Sequence, residues 1–151
     1  MQHKKISLLF SLFLSTLLFA TISQAIAEQN KLQIPPKQEK TVSVSLNSGD
    51  STSGTIVVDG EGSIDFWVSD PQNKNVTSSP NIGQTQFSLN AETSGTFTFH
   101  VFNIGDSEVS ATLNYNVVHR IFGMPQEMFL LLVIVGVVLL MLIIWAVMSK
   151  V

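Results

Sequence analysis

Residues 96–102 read Thr-Phe-Thr-Phe-His-Val-Phe, and residues 63–69 read Ser-Ile-Asp-Phe-Trp-Val-Ser. In the first stretch every second side chain is apolar, which places Phe97, Phe99 and Val101 on one face of an extended chain. The second stretch has the same pattern, carried by Ile64, Phe66 and Val68. These alternations predict two half-buried strands whose apolar faces form the inner walls of a β-sandwich.

Further short runs between Thr41 and Val118 have strand character and are separated by turn residues. They are Thr41–Leu46, Gly54–Val58, Asn75–Thr77, Gln86–Leu89 and Val109–Val118. Turn sequences occur at residues 47–50 and 70–73, and a polar loop is expected from Pro80 to Gly83. About seven short strands without a helical stretch predict an all-β fold, an antiparallel β-sandwich over residues 41–118.

The segments on either side of this sandwich read differently. Residues 28–40, which include Pro35-Pro36, predict an extended lead-in, and residues 119–124 predict a short juxtamembrane connector. So short a connector is expected to hold the sandwich near the bilayer surface. An ectodomain that ends at residue 123 is expected to be soluble and β-rich.

The N-terminus has the three-part layout of a secretory signal peptide. Lys4-Lys5 precedes an apolar stretch over residues 6–20, and Ala25-Ile26-Ala27 provides a small-residue cleavage site. Residues 1–27 are therefore predicted to be a signal peptide that is removed before Glu28. An uncleaved signal anchor is the alternative, and the serines that interrupt the apolar stretch disfavour it.

The C-terminal run from Met128 to Met148 contains no charged residue and matches the roughly 20 residues that a helix needs to span a bilayer. A transmembrane helix is predicted over residues 125–148, starting near Pro125, with a cytoplasmic tail at 149–151. Lys150 fits the positive-inside rule. The chain is thus expected to be a single-pass type I protein that contacts the membrane lipid bilayer and exposes its sandwich at the cell surface or in a lumen.

The composition of the 151-residue chain excludes several classes of function. It has no cysteine, which removes disulfides, thiolate metal sites and cysteine nucleophiles. Eleven Asp and Glu residues outnumber eight Lys and Arg residues, so the chain lacks the basic face that nucleic-acid binding needs. Between the two hydrophobic ends there is room for one domain.

Several segments together resemble a known family of domains. They are Val44-Ser45-Leu46 with Gly49-Asp50, Ile64 to Pro71, Phe87 to Ala91, and Ser94 to Asn103. Over about residues 37 to 118 the chain resembles the GOLD (Golgi dynamics) domain. That resemblance implies a β-sandwich like the lumenal part of single-pass cargo receptors of the endoplasmic reticulum and Golgi, which bind cargo or partner subunits.

The chain departs from the cargo receptors in three respects. They carry a cysteine pair, a coiled coil before the membrane and a cytoplasmic sorting tail, and this sequence has no counterpart of these features. A prokaryotic relative with the domain on the cell surface is the better match. The Asp-Pro turn and Ser-Gly-Thr-Phe also resemble the pre-peptidase C-terminal domain, and the sequence leaves both kinds of sandwich open.

Two residues are candidate sites of function. Trp67 lies between Phe66 and Val68, so its indole is expected to face outward and to contact a partner, unless it packs in a second buried face. Asn75-Val76-Thr77 is an acceptor sequence for glycosylation at Asn75. The expected partner is a protein, while peptide and glycan ligands are also open.

No catalytic, cofactor-binding or metal site is predicted. The mature chain offers His100 and His119 as its imidazoles, and His100 is expected on the solvent face. Asp50 and Asp106 stand in Gly-Asp-Ser turns without the second glycine of a nucleophile elbow. A calcium site is the alternative to solvated turn carboxylates for Asp59, Glu61, Asp65, Asp70 and Asp106.

These observations predict a membrane-anchored binding or adaptor module that is not an enzyme. The alternatives are a structural component of the cell envelope and a cargo receptor of the secretory pathway.

Overall fold

The computed structural model describes residues 27–148. Eight strands form its sandwich: β1 (Glu28–Ile34), β2 (Glu39–Leu46), β3 (Ser51–Asp59), β4 (Ile64–Ser69), β5 (Asn75–Ile82), β6 (Gln84–Asn90), β7 (Gly95–Asn103) and β8 (Val109–Val118). Two short strands, β9 (Arg120–Ile121) and β10 (Met124–Pro125), make a two-stranded sheet, and helix α1 comprises Gln126–Met148. Apart from Ala27, the predicted signal peptide lies outside the described residues, as does the predicted tail.

The sandwich consists of two four-stranded sheets. Sheet 1 has the order β1-β8-β3-β6, and sheet 2 has the order β2-β7-β4-β5. Neighbouring strands are antiparallel throughout. Most connections pass from one sheet to the other, and β4–β5 is the connection that stays within sheet 2. This is the strand order of a jelly roll, and it confirms the predicted antiparallel sandwich.

The sandwich starts at Glu28 and not at Thr41, because the segment expected to be a lead-in contains β1. This strand pairs with β8 from Glu28↔Tyr115 to Ile34↔Val109. Ile34 is fully buried and Leu32 packs against the core. Two apolar residues at the end of a polar strand are a weak periodic signal, which is why the sequence did not indicate a strand here.

A second difference concerns Pro80 to Gly83, where a polar loop was expected. Strand β5 continues to Ile82, and the connection to β6 shrinks to Gly83. Proline is tolerated because β5 is the edge strand of sheet 2, where an N–H can be missing without breaking a ladder. The pairing with β4 is irregular between Ile64 and Phe66, and Asn81 has a positive φ of 52°.

The core lies between the two sheets and centres on four aromatic rings. Phe66 and Phe99 come from sheet 2, and Phe87 and Tyr115 come from sheet 1. The ring centroids of Phe87 and Phe99 are 5.2 Å apart, and those of Phe99 and Tyr115 are 5.1 Å apart. Such contacts add about 0.5–1.5 kcal/mol per pair beyond the burial of apolar area. The faces predicted to point inward in β4 and β7 are buried.

Helix α1 starts one residue after Pro125, close to the predicted position. Its 23 residues extend about 34 Å at 1.5 Å per residue, which is enough to cross a hydrocarbon core of about 30 Å. Glu127 lies in the first turn, where a carboxylate complements the positive end of the helix dipole. The remainder of the helix is apolar on all sides, as a lipid-facing helix is.

Candidate functional site

Trp67 lies in β4 on the face of sheet 2 that points away from the core. Its neighbours Phe66 and Val68 are buried, so the alternation of the strand turns the indole outward, where it is half-buried. Trp67 is the register partner of His100 in β7. The two rings are stacked, with centroids 4.8 Å apart and planes inclined by 5°. One face of the indole is therefore covered by the imidazole.

The imidazole of His100 is held by hydrogen bonds at both nitrogens. Nδ1 lies 2.6 Å from Glu39 Oε1 in β2, and Nε2 lies 2.8 Å from Ser69 Oγ in β4. Because an ionised carboxylate only accepts, Nδ1 of the neutral ring donates to Glu39 and Nε2 accepts from the Ser69 hydroxyl. These bonds fix the ring that stacks on Trp67. We refer to Trp67, His100, Ser69 and Glu39 as the Trp67 platform.

The surface around the Trp67 platform is aromatic and acidic. Phe102 is half-buried on the same outward face of β7, and its register partners are Asp65 in β4 and Glu39 in β2. The Asp65 carboxylate accepts a hydrogen bond from the Asn81 N–H at 2.8 Å. Two carboxylates thus flank an aromatic strip, which is an arrangement suited to a cationic side chain.

Sequence reasoning did not single out Ser69 or Glu39. Both occupy the strand positions that alternate with the inward-facing residues, so their outward orientation could be predicted from the period of two. Their hydrogen bonds to His100 could not be predicted, because these contacts depend on β2 and β4 both being neighbours of β7 in the sheet. Ser69 is only 5% exposed although it lies on the outer face.

Asn75 is exposed at the first residue of β5, an edge strand. It borders a cleft of about 470 Å³ whose wall includes Asp70, Glu92 and Phe97. The Asp70 carboxylate is already engaged, because its Oδ1 accepts hydrogen bonds from the N–H groups of Gln72 and Lys74. The exposure of Asn75 is compatible with glycosylation, which stays a prediction.

A second cleft, of about 640 Å³, lies on the outer face of sheet 1. Its lining includes the uncharged polar residues Ser53, Thr55, Gln86, Ser88, Asn114 and Asn116. Tyr115 borders it too, but its hydroxyl donates to Glu28 Oε2 at 2.5 Å. Burial, together with that carboxylate, raises the pKa of Tyr115 to about 12. The phenol is thus held neutral, which makes it a poor proton acceptor near neutral pH.

Asp50 is a buried carboxylate that sequence reasoning treated only as a turn residue. Its side chain is 1% exposed and accepts from the N–H groups of Asn47 and Arg120 at 2.9 and 3.0 Å. His119 Nδ1 lies 2.8 Å from its Oδ2. Burial opposes ionisation of Asp50, but the two backbone hydrogen bonds and His119 outweigh it and lower its pKa. Asp50 therefore ties the turn after β2 to the chain that leaves β8.

The acidic residues considered for calcium are not brought together. Asp59 accepts from Ser110 and Thr112, and Asp106 pairs with Lys37. Over residues 27–148, the structure contains no group of three or more His, Cys, Asp or Glu side chains that could hold a metal ion. Asp65 and Asp70 likewise accept hydrogen bonds from nearby backbone N–H groups.

Comparisons with known proteins place the chain in a family. No curated protein sequence matches it significantly. Among solved structures, it is similar to PliG of Aeromonas hydrophila, a periplasmic inhibitor of g-type lysozyme, at 16% identity and a TM-score of 0.47, covering 62% of this chain and 87% of that one. It is also similar to the pre-peptidase C-terminal domain of collagenase from Bacillus anthracis, at 10% identity and a TM-score of 0.49, covering 60% and 89%. Similarities at this level do not bear on function.

The family model is the informative match. The model of the emp24/gp25L/p24 family, or GOLD domain, matches residues 30–123, which is more than half of the chain. The matched range begins within β1 and contains all of β2 to β8. Together with the apolar helix α1, this match supports a single-pass membrane protein that interacts with other proteins. The chain belongs to the emp24/gp25L/p24 (GOLD) family.

Proposed function

We propose that this chain is a membrane-anchored binding module whose sandwich lies outside the cytoplasm and captures a protein partner on the Trp67 platform. The observation that carries this proposal is the stack of Trp67 on His100, in which both ring nitrogens are occupied by Glu39 and Ser69. The family match and helix α1 support membrane association and protein interaction.

The geometry suits the Trp67 platform to binding, because the aromatic side chains are already ordered. Tryptophan is enriched among the residues that dominate the binding energy of interfaces. A side chain held in place before binding loses less conformational entropy when a partner docks. The hydrogen bonds with Ser69 and Glu39 fix the imidazole of His100. Stacking on this fixed ring then restricts the orientation of the Trp67 indole.

Charge suggests which side chains the partner presents. Glu39 and Asp65 flank the aromatic strip of Trp67 and Phe102. A segment with Lys or Arg would combine contact with the indole and attraction to these carboxylates. Asp65→Asn keeps an acceptor for the Asn81 N–H, so β4 should stay folded. Because the variant loses one negative charge, it should capture the partner more weakly, and that capture should depend less on salt concentration.

Capture from detergent-solubilised membranes tests the proposed site. The tagged wild-type chain and the Val76→Ala variant should recover the same partner, because Val76 is an exposed apolar residue of β5 in the same sheet. Trp67→Ala should lose that partner while staying folded. Equal recovery by Trp67→Ala, or recovery of the wild-type chain alone, would contradict the proposal.

The proposed topology has the N-terminal sandwich outside and the C-terminus in the cytoplasm. Strand β1 starts at Glu28, so removal of residues 1–27 leaves the whole sandwich intact, which supports cleavage at that position. N-terminal sequencing of the mature chain should read Glu28 first. An externally added protease should degrade the sandwich in intact cells, and protection of the sandwich would reverse the orientation.

Two alternatives remain within the same topology. A cargo receptor of the secretory pathway is suggested by the family, and it predicts that depletion retains specific client proteins in the endoplasmic reticulum. A structural envelope component predicts instead that depletion weakens the envelope without any partner being lost. Cross-linking in intact membranes separates both from the adaptor by the neighbours that it identifies.

A hydrolase is a second candidate function, because one hydrogen-bond chain has the order of a catalytic triad. Ser69 Oγ meets His100 Nε2, and His100 Nδ1 meets Glu39. The same connectivity activates serine nucleophiles. Ser69 is nearly buried, however, and neither described cleft is lined by it. We therefore propose that the chain is not an enzyme and that the three residues orient Trp67.

A fluorophosphonate probe distinguishes these roles of Ser69. We expect no covalent labelling of the wild-type chain, and Ser69→Ala should impair capture of the partner rather than any turnover. Stoichiometric labelling at Ser69 that disappears in His100→Ala would establish the hydrolase instead.

A further inference from the structure

The turn between β9 and β10 consists of Phe122 and Gly123. Both have a positive φ, 52° for Phe122 and 78° for Gly123. Two left-handed residues in a two-residue connection are characteristic of a type I′ turn. The Phe122 side chain is 87% exposed, more than any other large hydrophobic side chain in the part of the chain whose side chains the structure describes.

Phenylalanine is not the residue that this turn requires. Type I′ turns favour Asn-Gly, because asparagine tolerates the left-handed conformation, whereas a bulky residue with positive φ is a conformational outlier. An observed outlier of this kind points to a functional constraint. Folding of the turn therefore does not explain the ring at position 122, and exposure of that ring to water gains no hydrophobic stabilisation.

The position of the turn in the chain indicates what covers the ring. Helix α1 starts at Gln126, four residues after Phe122, and four residues span at most about 14 Å even when extended. The headgroup layer of one leaflet is about 5–8 Å thick, taken as half of the difference between the bilayer and its hydrocarbon core. Phe122 therefore cannot be far from the lipid interface when α1 spans the membrane.

A basic residue accompanies the aromatic ring. Arg120 Nη1 donates a hydrogen bond to the Gly123 carbonyl oxygen at 3.4 Å, so the guanidinium lies beside the turn. Arginine places its aliphatic stem along apolar surface and its charge in the polar layer, where lipid phosphates are its natural partners. An exposed aromatic ring next to a guanidinium matches the two zones of a lipid interface.

We propose that the Phe122–Gly123 turn inserts the Phe122 ring into the boundary between the lipid headgroups and the acyl chains, with Arg120 at the level of the phosphates. The ligand of this surface is the bilayer itself. The contact is separate from the Trp67 platform, which lies on sheet 2. It gives the chain a second, shallow attachment to the membrane beside α1.

Spin labelling tests the insertion directly, because the chain has no cysteine of its own. Full-length Phe122→Cys, Glu61→Cys and Val135→Cys are each labelled and reconstituted into phosphatidylcholine vesicles with phosphatidylglycerol as the minor lipid. Val135 lies in α1, and Glu61 is exposed in the turn after β3, at the end of the sandwich opposite Val118. Collision rates with oxygen and with a water-soluble nickel complex then report depth.

The label at position 122 should give a ratio of oxygen to nickel collisions that lies between the ratios at positions 61 and 135 and is several-fold higher than the ratio at position 61. A ratio equal to that at position 61 would place the turn in water and overturn the proposal. Protection from both reagents would show that protein covers the ring, either a second copy or another chain, and would overturn it equally.

A matched variant separates lipid contact from folding of the turn. Phe122→Asn suits the left-handed conformation and removes the ring, so it should leave the sandwich folded. In the same vesicles, amide hydrogen exchange at residues 121–124 should be several-fold faster in this variant than in the wild type, with no change at Asp59–Gly62. Equal exchange at residues 121–124 in the two chains would contradict the insertion.

Discussion

The carboxylate of Asp50 and the imidazole of His119 lie 2.8 Å apart, and they join residues that are 69 positions apart in the chain. The same carboxylate accepts the N–H groups of Asn47 and Arg120. Asp50 is shielded from water, and its hydrogen bonds hold the residues that follow β8 against the turn that precedes β3.

Replacing Asp50 by Ala should destabilise the sandwich by about 1–3 kcal/mol, since two backbone donors lose their acceptor. Urea denaturation followed by pulse proteolysis measures the change. Asp106→Ala is the matched control, because that carboxylate is 93% exposed and pairs with Lys37 at the surface. Its loss should change the free energy of unfolding little. Equal effects of the two variants would show that Asp50 has no special role.

Acid should weaken the wild-type sandwich through the same carboxylate. Burial raises the pKa of Asp50 in isolation, but its hydrogen bonds lower the net pKa below the ordinary value of 3.8. A carboxyl group with a lowered pKa stabilises the fold above its unfolded pKa, and this contribution is lost as pH falls through the folded pKa. The difference in stability between wild type and Asp50→Asn should therefore shrink as pH falls below the ordinary value of 3.8 and through the lowered pKa of Asp50. A constant difference would contradict this assignment.

Tyr115, the single tyrosine of the chain, should titrate late. Burial is the main reason that its pKa rises to about 12, and the Glu28 carboxylate adds to the rise. Because the folded pKa exceeds the unfolded value of about 10, stability is retained below that value and falls as pH increases toward 12. Ultraviolet difference spectroscopy should give a lower pKa for Glu28→Gln that still exceeds the unfolded value. Titration of the wild type near 10 would refute the buried hydrogen bond.

Gly54 should tolerate no side chain, although its φ is not in the left-handed region. A Cβ at this position would lie 2.1 Å from the Asn114 carbonyl oxygen and 2.9 Å from the Phe87 ring. Gly54→Ala should therefore lower the unfolding free energy by at least the roughly 1–3 kcal/mol typical of overpacking. Gly83→Ala is the control, because no atom lies within 4 Å of its Cβ position. Similar urea midpoints for the two variants would contradict the close approach.

Strands β2 to β8 were predictable from the sequence, those with the best alternation most clearly, and β1 was not. In β7 and β4, runs of three apolar residues at every second position leave one interpretation. Strand β1 has only Leu32 and Ile34 on its inner face and pairs with β8 at the far end of the chain. Strand β1 is therefore held largely by backbone hydrogen bonds to β8. A local sequence pattern cannot show pairing with a strand so distant in the chain.

The candidate site was predictable in part for the same reason. Alternation places Trp67 and His100 on outward faces, but it does not show that their strands are neighbours. The hydrogen bonds of Ser69 and Glu39 to His100 depend on the order β2-β7-β4, which local sequence does not encode. Asp50 was interpreted correctly as lying in a turn, while its burial depends on residues that follow β8.

Phe99 and Trp67 should respond in opposite ways to truncation, because they occupy opposite faces of sheet 2. Phe99 is 0% exposed and contacts the rings of Phe66, Phe87 and Tyr115, so its removal opens a cavity at the centre of the core. Phe99→Ala should reduce the unfolding free energy by about 3–5 kcal/mol, a large part of the roughly 5–15 kcal/mol that stabilises a domain.

Trp67 is half-buried and stacks on His100 at the surface, where removal of the indole leaves a site that water can fill. Trp67→Ala should therefore reduce stability by clearly less than Phe99→Ala while weakening capture of the partner. Urea denaturation of both variants and the wild type, read by pulse proteolysis, supplies the comparison. The double variant Trp67→Ala/His100→Ala adds a control, because it should be little less stable than Trp67→Ala if the stack serves mainly to orient the indole. If Trp67→Ala proves as destabilising as Phe99→Ala, the indole belongs to the structural core of sheet 2, and the Trp67 platform is not the binding site.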